Sequence, residues 1–408
     1  MLKGKVLDKY SDLIIKIGVN LQKGQGLEIS CPVEKRNFAL ALTKAGYKAG
    51  ASIVRVRWQN EEIDKLSYKY ADIDALTDIP KWLVDSKNYL VEKGFCYVAV
   101  SADDPEAFKN IPSDRLFAVS KAKAKALKKF SDNMMANAIR WCVVSVPTQK
   151  WAKKVFPLEK NPVKALSKQI ELSLRLNENN PVDAWNKHIE KLNSRAKFLN
   201  DMNFEFLHFS NQKGTSLKVG LADNHIWQCA LEKAKDGMLF MANMPTEEVF
   251  TAPHRKRVDG VLKSAMPLCS NGQVIDEFSI TFKNGKIVDF NAKKGFDALK
   301  QLINTDKGTK RLGEVALIGK NSPIAQSKVL FYNTLFDENA SCHLAIGKAY
   351  PTTIKGGDKL SIKELEKLGA NDSSEHEDFM IGTPDLNVIG IKKDGTSVKI
   401  FENGEWII

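Results

Sequence analysis

The chain has 408 residues, of which 43% are hydrophobic and 27% are charged, and its formal net charge is +12. This length predicts two to three domains, and the lack of any run of about 18 apolar residues argues against a membrane span. The positive charge is spread along the chain without a nucleic-acid-binding signature, so we expect neither a nucleic-acid nor a membrane partner.

The first half of the chain alternates between helical and strand-like patterns. Amphipathic helices are predicted over 2–23 and 34–50, where the apolar residues recur with a helical period. Four apolar strands are predicted at 26–32, 51–58, 94–102 and 139–147. Because helical stretches fill the spaces between these strands, we expect parallel pairing through right-handed crossovers.

The pattern changes near residue 200. Short strands then alternate with Asn-Gly, Asp-Gly and Lys-Gly turns, of which the first two favour antiparallel hairpins. We therefore predict an N-terminal α/β domain with a parallel sheet at 1–200. A β-rich α+β domain is predicted at 201–408, and the residues that can carry chemistry are concentrated in it.

The cysteine content and the N-terminus bear on the cellular compartment. The six cysteines include no Cys-x-x-Cys pair, and several lie beside apolar strand-like runs. Buried free thiols are typical of a reducing compartment, which predicts a cytoplasmic protein. The first 22 residues contain no unbroken apolar segment, which argues against a signal peptide.

Three acidic residues of the second domain lie in apolar surroundings. Glu247 and Glu248 are adjacent in TEEVFT, and in an extended segment they would face opposite sides. Glu314 stands alone in RLGEVAL. A buried acid requires a metal ion or an ion-pair partner, although a place on the solvent-facing side of a strand would also explain Glu314.

The segment FYNTLFDENASCHLAIGKAY, residues 331–350, combines Glu338, His343 and Tyr350 with apolar residues. If 338–350 is helical, His343 and Tyr350 share a face and lie about 10.5 Å apart along the axis. That separation suits a site with two ions better than a site with one. The alternative for His343 is a core histidine that is hydrogen-bonded to a backbone carbonyl.

A third segment, SSEHEDFMIGT, places His376 and Asp378 two residues apart, so both project to one face if the segment is extended. Several acids that converge without basic partners repel one another, and divalent cations relieve that repulsion. Oxygen and imidazole ligands without thiolate suit Zn²⁺, Co²⁺ or Mn²⁺. Two such ions lower the pKa of a bridging water and polarise a carbonyl, which is the chemistry of amide hydrolysis.

The strings NMPTEEVFTAPHR, RLGEVAL, SPIAQSKVLFYNTLFDENASCHLAIGKAYP and EHEDFMIG closely resemble the thermophilic-type metalloaminopeptidases, the family of aminopeptidases T and S. The resemblance extends over essentially the whole chain. It implies a cytoplasmic exopeptidase with two divalent ions that removes single residues from peptides with a free N-terminus. It also implies a homodimer.

The resemblance further implies roles for individual residues, with Glu314 as the carboxylate that bridges both ions. The implied metal-binding set is Glu248, Glu314, Glu338, His343, Tyr350, His376 and Asp378. Catalytic roles fall to Glu248, Glu314 and Tyr350, where Tyr350 is either a ligand or a hydrogen-bond donor to the oxyanion. The general base stays open between Glu247, Glu248 and Glu338.

Two other functions use the same residue types. A phosphoesterase-like two-metal hydrolase would hold its ions with similar ligands. However, Arg255 and Arg311 are the only evident arginines near the ligands in the sequence, which disfavours a phosphate substrate. In a basic binding protein, by contrast, the acids would be purely structural.

Overall fold

The computed structural model describes residues 2–270 and 273–408. The chain divides into two compact units. The first unit contains the residues up to Ile189 together with Ala230–Thr246 and Phe331–Leu335, and the second contains Glu190–Cys229, Glu247–Leu330 and Phe336–Ile408. The predicted boundary near residue 200 falls inside the helix Pro181–Met202, and the proposed domain limits stay a prediction.

The first unit is built on a parallel sheet whose strands are β1 Gly26–Pro32, β2 Ile53–Gln59, β3 Cys96–Val100 and β4 Trp141–Val144. Their order is β2-β1-β3-β4, and every pairing is parallel. This confirms the predicted α/β class for the N-terminal part. Helices connect the strands, as parallel pairing requires.

The helices of the chain up to residue 202 are α1 Gly4–Leu13, α2 Arg36–Lys48, α3 Glu61–Tyr70, α4 Ile73–Thr77, α5 Lys81–Glu92, α6 Ser113–Ala126, α7 Lys128–Met135, α8 Gln149–Val155, α9 Pro162–Ser173 and α10 Pro181–Met202. The helix predicted over 2–23 is shorter than expected. One π-helical turn, Ile14–Gly18, follows α1, and Asn20 then takes a positive φ of 41°. A left-handed residue ends a helix, so the chain turns towards β1 earlier than the apolar spacing indicates.

The strands after α10 are short and mostly antiparallel: β5 Phe206–Ser210, β6 Ser216–Leu221, β7 Gln228–Cys229, β8 Glu232–Lys233, β9 Leu239–Phe240, β10 Val249–Thr251, β11 Pro253–Lys263, β12 Leu268–Ser270, β13 Gln273–Lys283, β14 Lys286–Lys294, β15 Leu312–Leu317, β16 His343–Gly347, β17 His376–Met380, β18 Asn387–Ile391, β19 Ser397–Glu402 and β20 Glu405–Trp406. The later helices are α11 Phe296–Ile303, α12 Pro323–Ser327, α13 Thr334–Asp337 and α14 Ile362–Lys367.

Two sheets form the second unit. The larger has the order β12-β13-β11-β6-β5-β18-β19-β20, with β14 paired to β13, and the smaller has the order β17-β16-β15-β10-β7. The predicted Asn-Gly hairpins are confirmed. Asn284 and Gly285 connect β13 to β14 with φ values of 51° and 73°, the conformation that a tight hairpin turn requires at both central residues.

The smaller sheet is the part of the fold that carries the predicted site residues. Its central strands β15 and β16 are buried along their whole length. Among the helices of residues 2–270 and 273–408, none combines the length and the apolar character needed to cross a membrane.

Candidate metal centre

The register of the smaller sheet brings the predicted ligands onto one face. Glu314 of β15 lies opposite Ala345 of β16, and Ala345 lies opposite Asp378 of β17. Residues that are directly opposite in an antiparallel pair project to the same side. His343 and His376 are two positions away from Ala345 and Asp378 on their own strands, so both join this face.

The helix considered as one possibility for 338–350 does not form. Residues Glu338–Ala340 form one 3-10 turn, and His343–Gly347 is strand β16 between β15 and β17. A short apolar run that is buried on both faces cannot be assigned to helix or strand by its period. The axial distance inferred between His343 and Tyr350 therefore does not apply. The extended conformation expected for 376–378 is confirmed by β17.

A first group consists of Glu248, Glu314 and His343, which offer ligand atoms within 4.8 Å of one another. His343 Nε2 lies 3.1 Å from Glu248 Oε2 and 3.5 Å from Glu314 Oε1. The other ring nitrogen, Nδ1, lies 2.9 Å from the carbonyl oxygen of Glu338. A bond from Nδ1–H to a backbone carbonyl fixes the ring and leaves Nε2 available as a ligand.

A second group consists of Glu314, His376 and Asp378, again with ligand atoms within 4.8 Å of one another. His376 Nε2 lies 3.5 Å from Glu314 Oε2 and 3.5 Å from Asp378 Oδ1. Its Nδ1 lies 2.6 Å from the carbonyl oxygen of Lys348. Both histidines are thus oriented in the same way, and Glu314 belongs to both groups.

The acidic residues of this face are difficult to ionise together. Burial raises the pKa of Glu314 to about 7. Burial, followed by repulsion from Asp378, raises the pKa of Glu338 well above its ordinary value. Carboxylates that are crowded in a buried place hold protons or require positive charge from elsewhere.

The two histidines respond to these acids. Burial alone would lower the pKa of His343, but hydrogen bonds to Glu248 and Glu314 raise it well above its usual range. Burial also opposes protonation of His376, yet Asp378 and Glu314 raise its pKa to about 10. The field at both imidazoles therefore favours cations.

The residues present fit a divalent cation. Oδ1 of Asp378 is buried and accepts no hydrogen bond from the described residues. Within residues 2–270 and 273–408, the ion pairs of Glu248, Glu314 and Asp378 are formed with histidines, and none is formed with lysine or arginine. Carboxylate and imidazole donors without thiolate are the set that Zn²⁺, Co²⁺ and Mn²⁺ accept.

The other predicted residues lie close to these groups. Glu338 is buried among the carboxylates of both groups but belongs to neither. Tyr350 follows β16, and its ring centroid lies 5.1 Å from that of His376 and 5.9 Å from that of Phe250. Glu247 is buried and also belongs to neither group.

Sequence reasoning missed the residues that hold the ligands in place. The carbonyl of Lys348 orients His376. The side chain of Asn339 accepts a hydrogen bond from the backbone N–H of Glu247 at 2.7 Å. Ala345 occupies the position between Glu314 and Asp378. The one available signal was the position of Asn339, an amide in an apolar segment beside Glu338.

Comparisons with known proteins agree over almost the whole chain. A family model described as thermophilic metalloprotease (M29) matches residues 3–406. The chain is 43% identical over 402 residues to aminopeptidase AmpS of Bacillus subtilis (strain 168), which covers 98% of each chain. It is 37% identical over 404 residues to aminopeptidase T of Thermus aquaticus, again covering 98% of each. The solved structure of wild-type AmpT from Thermus thermophilus matches with a TM-score of 0.91 at 35% identity, over 99% of each chain.

Proposed function

This chain belongs to the thermophilic metalloprotease family (M29), which confirms the resemblance read from the sequence, and we propose that it is a metal-dependent aminopeptidase. Its relatives carry the names of aminopeptidases. The observation that carries the proposal is the pair of ligand groups joined by Glu314. The substrates proposed are peptides with a free N-terminus.

We further propose that the centre is dinuclear. Glu248 and His343 would hold one ion, and His376 and Asp378 would hold the other, because one oxygen of Glu314 is directed to each group. Two bound ions lower the pKa of a water towards neutrality and polarise a carbonyl. The donor set supports zinc, cobalt or manganese. The proposed set also includes Glu338 and Tyr350, of which Tyr350 is either a ligand or a hydrogen-bond donor to the oxyanion.

Residues of this chain would stabilise the oxyanion and transfer the proton. We propose catalytic roles for Glu248, Glu314 and Tyr350, and the Tyr350 hydroxyl, where it is not a ligand, would donate a hydrogen bond to the oxygen that becomes negative. A carboxylate must take a proton from the attacking water and give it to the leaving amine. The candidates for this base are Glu247, Glu248 and Glu338. Burial raises the pKa of Glu338, which also lies close enough to Asp378, Glu248 and Glu314 for their charges to raise that pKa further.

Two finer proposals concern location and assembly. Five cysteines, Cys31, Cys96, Cys142, Cys229 and Cys342, are buried with free thiols, which supports the proposed cytoplasmic location because such thiols are typical of a reducing compartment. The proposed homodimer rests on the family resemblance.

A panel of aminoacyl p-nitroanilides tests the function. With Co²⁺, Zn²⁺ or Mn²⁺ present, amides with a free α-amine should be hydrolysed, and N-acetylation or a chelator should abolish turnover. Release of phosphate from an aryl phosphate without amide turnover would favour the phosphoesterase alternative. Absence of any metal binding would contradict both hydrolase functions.

A further inference from the structure

A single 3-10 turn, Glu338–Ala340, contacts His343 of the first group and also Glu247, the residue just before Glu248 of that group. The carbonyl oxygen of Glu338 lies 2.9 Å from Nδ1 of His343. The side chain of Asn339 reaches in the other direction, and its Oδ1 accepts the N–H of Glu247 at 2.7 Å. Asn339 is fully buried.

The backbone before Glu248 is held at two successive residues: the Thr246 carbonyl oxygen lies 2.9 Å from His188 Nε2, and the Glu247 N–H donates to Asn339. Strand β10 begins only at Val249 and has three residues. Its ladder, from Val249 opposite Leu317 to Thr251 opposite Val315, fixes the chain after Glu248. The bond from the peptide N–H of Glu247 to Asn339 fixes the chain just before Glu248. A carboxylate ligand is placed accurately only when the backbone on both sides of it is held.

Asn339 is itself held in place by neighbouring groups. Its backbone carbonyl oxygen accepts a hydrogen bond from Ser322 Oγ at 3.2 Å, and its side-chain Nδ2 donates to Oε1 of Glu338 at 3.4 Å. The Oδ1 and Nδ2 atoms of the Asn339 carboxamide therefore each have a hydrogen-bond partner, Glu247 N–H and Glu338 Oε1. These partners fix the orientation of the carboxamide, and the carboxamide in turn fixes the backbone next to Glu248.

The second group is oriented by other contacts. His376 and Asp378 lie within β17, where they pair with Gly347 and Ala345 of β16. The ring of His376 is bonded to the carbonyl of Lys348. These bonds do not involve the carboxamide of Asn339.

We propose that Asn339 is a positioning residue for Glu248, and that its carboxamide oxygen determines how tightly the first ligand group holds its ion. The inference rests on the proposed dinuclear function. Removing the acceptor deletes the hydrogen bond of the Glu247 N–H and so loosens the peptide directly before Glu248. Loss of a residue that orients a ligand weakens metal affinity by roughly 10- to 100-fold.

The test is a calorimetric titration of the metal-free protein with Co²⁺, together with the visible absorption of bound Co²⁺. N339L removes both polar groups with little change in volume. We expect two ions in the wild type, whereas N339L should keep one ion at wild-type affinity and bind the other at least about tenfold more weakly. If N339L does not fold, N339S takes its place.

N200L is the matched control. Asn200 lies in the same unit, and its Oδ1 also accepts a backbone N–H, that of Trp227, at 2.8 Å. N200L should bind two ions as the wild type does.

Two tight ions in folded N339L, or equal losses in N339L and N200L, would overturn the inference while leaving the proposed function intact. Loss of both ions from folded N339L would also overturn it, since the effect would not be confined to the first group. A wild-type protein that binds no ion would instead refute the proposed function, and the inference with it.

Discussion

Glu314 Oε2 lies 3.5 Å from Nε2 of His376. The other oxygen of the same carboxylate, Oε1, lies 3.5 Å from Nε2 of His343. One side chain on β15 is therefore shared between a histidine on β16 and a histidine on β17. Both ligand groups should fail together when this carboxylate is changed, whereas a change to a ligand that belongs to one group should affect that group alone.

Glu314→Gln should abolish aminopeptidase activity and weaken both ions. Glutamine keeps the size of the side chain but removes the negative charge that both groups share, and an amide is a poorer ligand for these ions than a carboxylate. Calorimetry with Co²⁺ and turnover of an aminoacyl p-nitroanilide measure the two effects. E205Q is the control, because Glu205 pairs with Arg257 in the same unit. Near-normal turnover in E314Q would remove Glu314 from the bridging position.

Ala345→Leu should weaken metal binding although it alters no ligand. Ala345 is fully buried and lies between Glu314 and Asp378 in the sheet register. A methyl group there leaves room between the two carboxylates, and a larger side chain would fill it. We expect A345L to bind Co²⁺ at least about tenfold more weakly in calorimetry, and p-nitroanilide turnover to fall with it.

The control for A345L is L344A. Leu344 is the next residue on β16 and is equally buried, but it projects to the opposite face. L344A should lower the free energy of unfolding by about 2–5 kcal/mol while retaining two ions. If both variants lost the ions, general destabilisation would explain the result. The small size of the side chain at position 345 would then not be required for metal binding.

Asp306→Asn should reduce stability in a pH-dependent way. The Asp306 carboxylate accepts hydrogen bonds from the N–H groups of Gly308, Thr309 and Ser374, and from the hydroxyls of Ser373 and Ser374. Burial alone would raise the pKa of Asp306, but these bonds lower it below the ordinary 3.8. This cluster anchors the segment that leads into β17.

The direction of the pH dependence of stability follows from the lowered pKa of Asp306. The charged form of Asp306 stabilises the fold at every pH above about 4, and this contribution is lost as the pH falls through the lower folded-state pKa. Urea unfolding of the metal-free proteins should show D306N less stable by about 1–3 kcal/mol at pH 7. The deficit should persist at pH 5 and shrink below about pH 4. A deficit that is independent of pH would mean that the charge is not responsible.

Much of the fold follows from the sequence because local pattern and tertiary structure agree there. The first predicted strand, 26–32, matches β1 Gly26–Pro32, and the strand predicted at 51–58 corresponds to β2. Apolar runs between helical stretches have only one common arrangement, a parallel sheet. The helical alternative at 338–350 arose where this agreement is lost, because β16 is buried on both faces and its residues show no alternation.

The sequence indicates which residues could form the candidate site, but it does not indicate how they meet. Glu314 and His343 stand out because polar groups in apolar segments require partners. Which of them meet depends on strand register, and one residue of slip would turn every side chain to the other face. The pairing of Ala345 with Glu314 and the bond from Glu247 to Asn339 join residues distant in sequence. No local pattern reports such contacts.

Tyr350→Phe should lower kcat more than it weakens metal binding. Phenylalanine keeps the edge-to-face contacts of the Tyr350 ring with His376 and Phe250, so the change removes only the hydroxyl. If that hydroxyl donates to the developing oxyanion, kcat should fall by roughly 100- to 1,000-fold, while calorimetry with Co²⁺ still shows two ions. Y89F, which alters a tyrosine of the first unit, should behave as the wild type does. Loss of an ion from Y350F would instead make the hydroxyl a ligand, and unchanged turnover would exclude Tyr350 from the reaction.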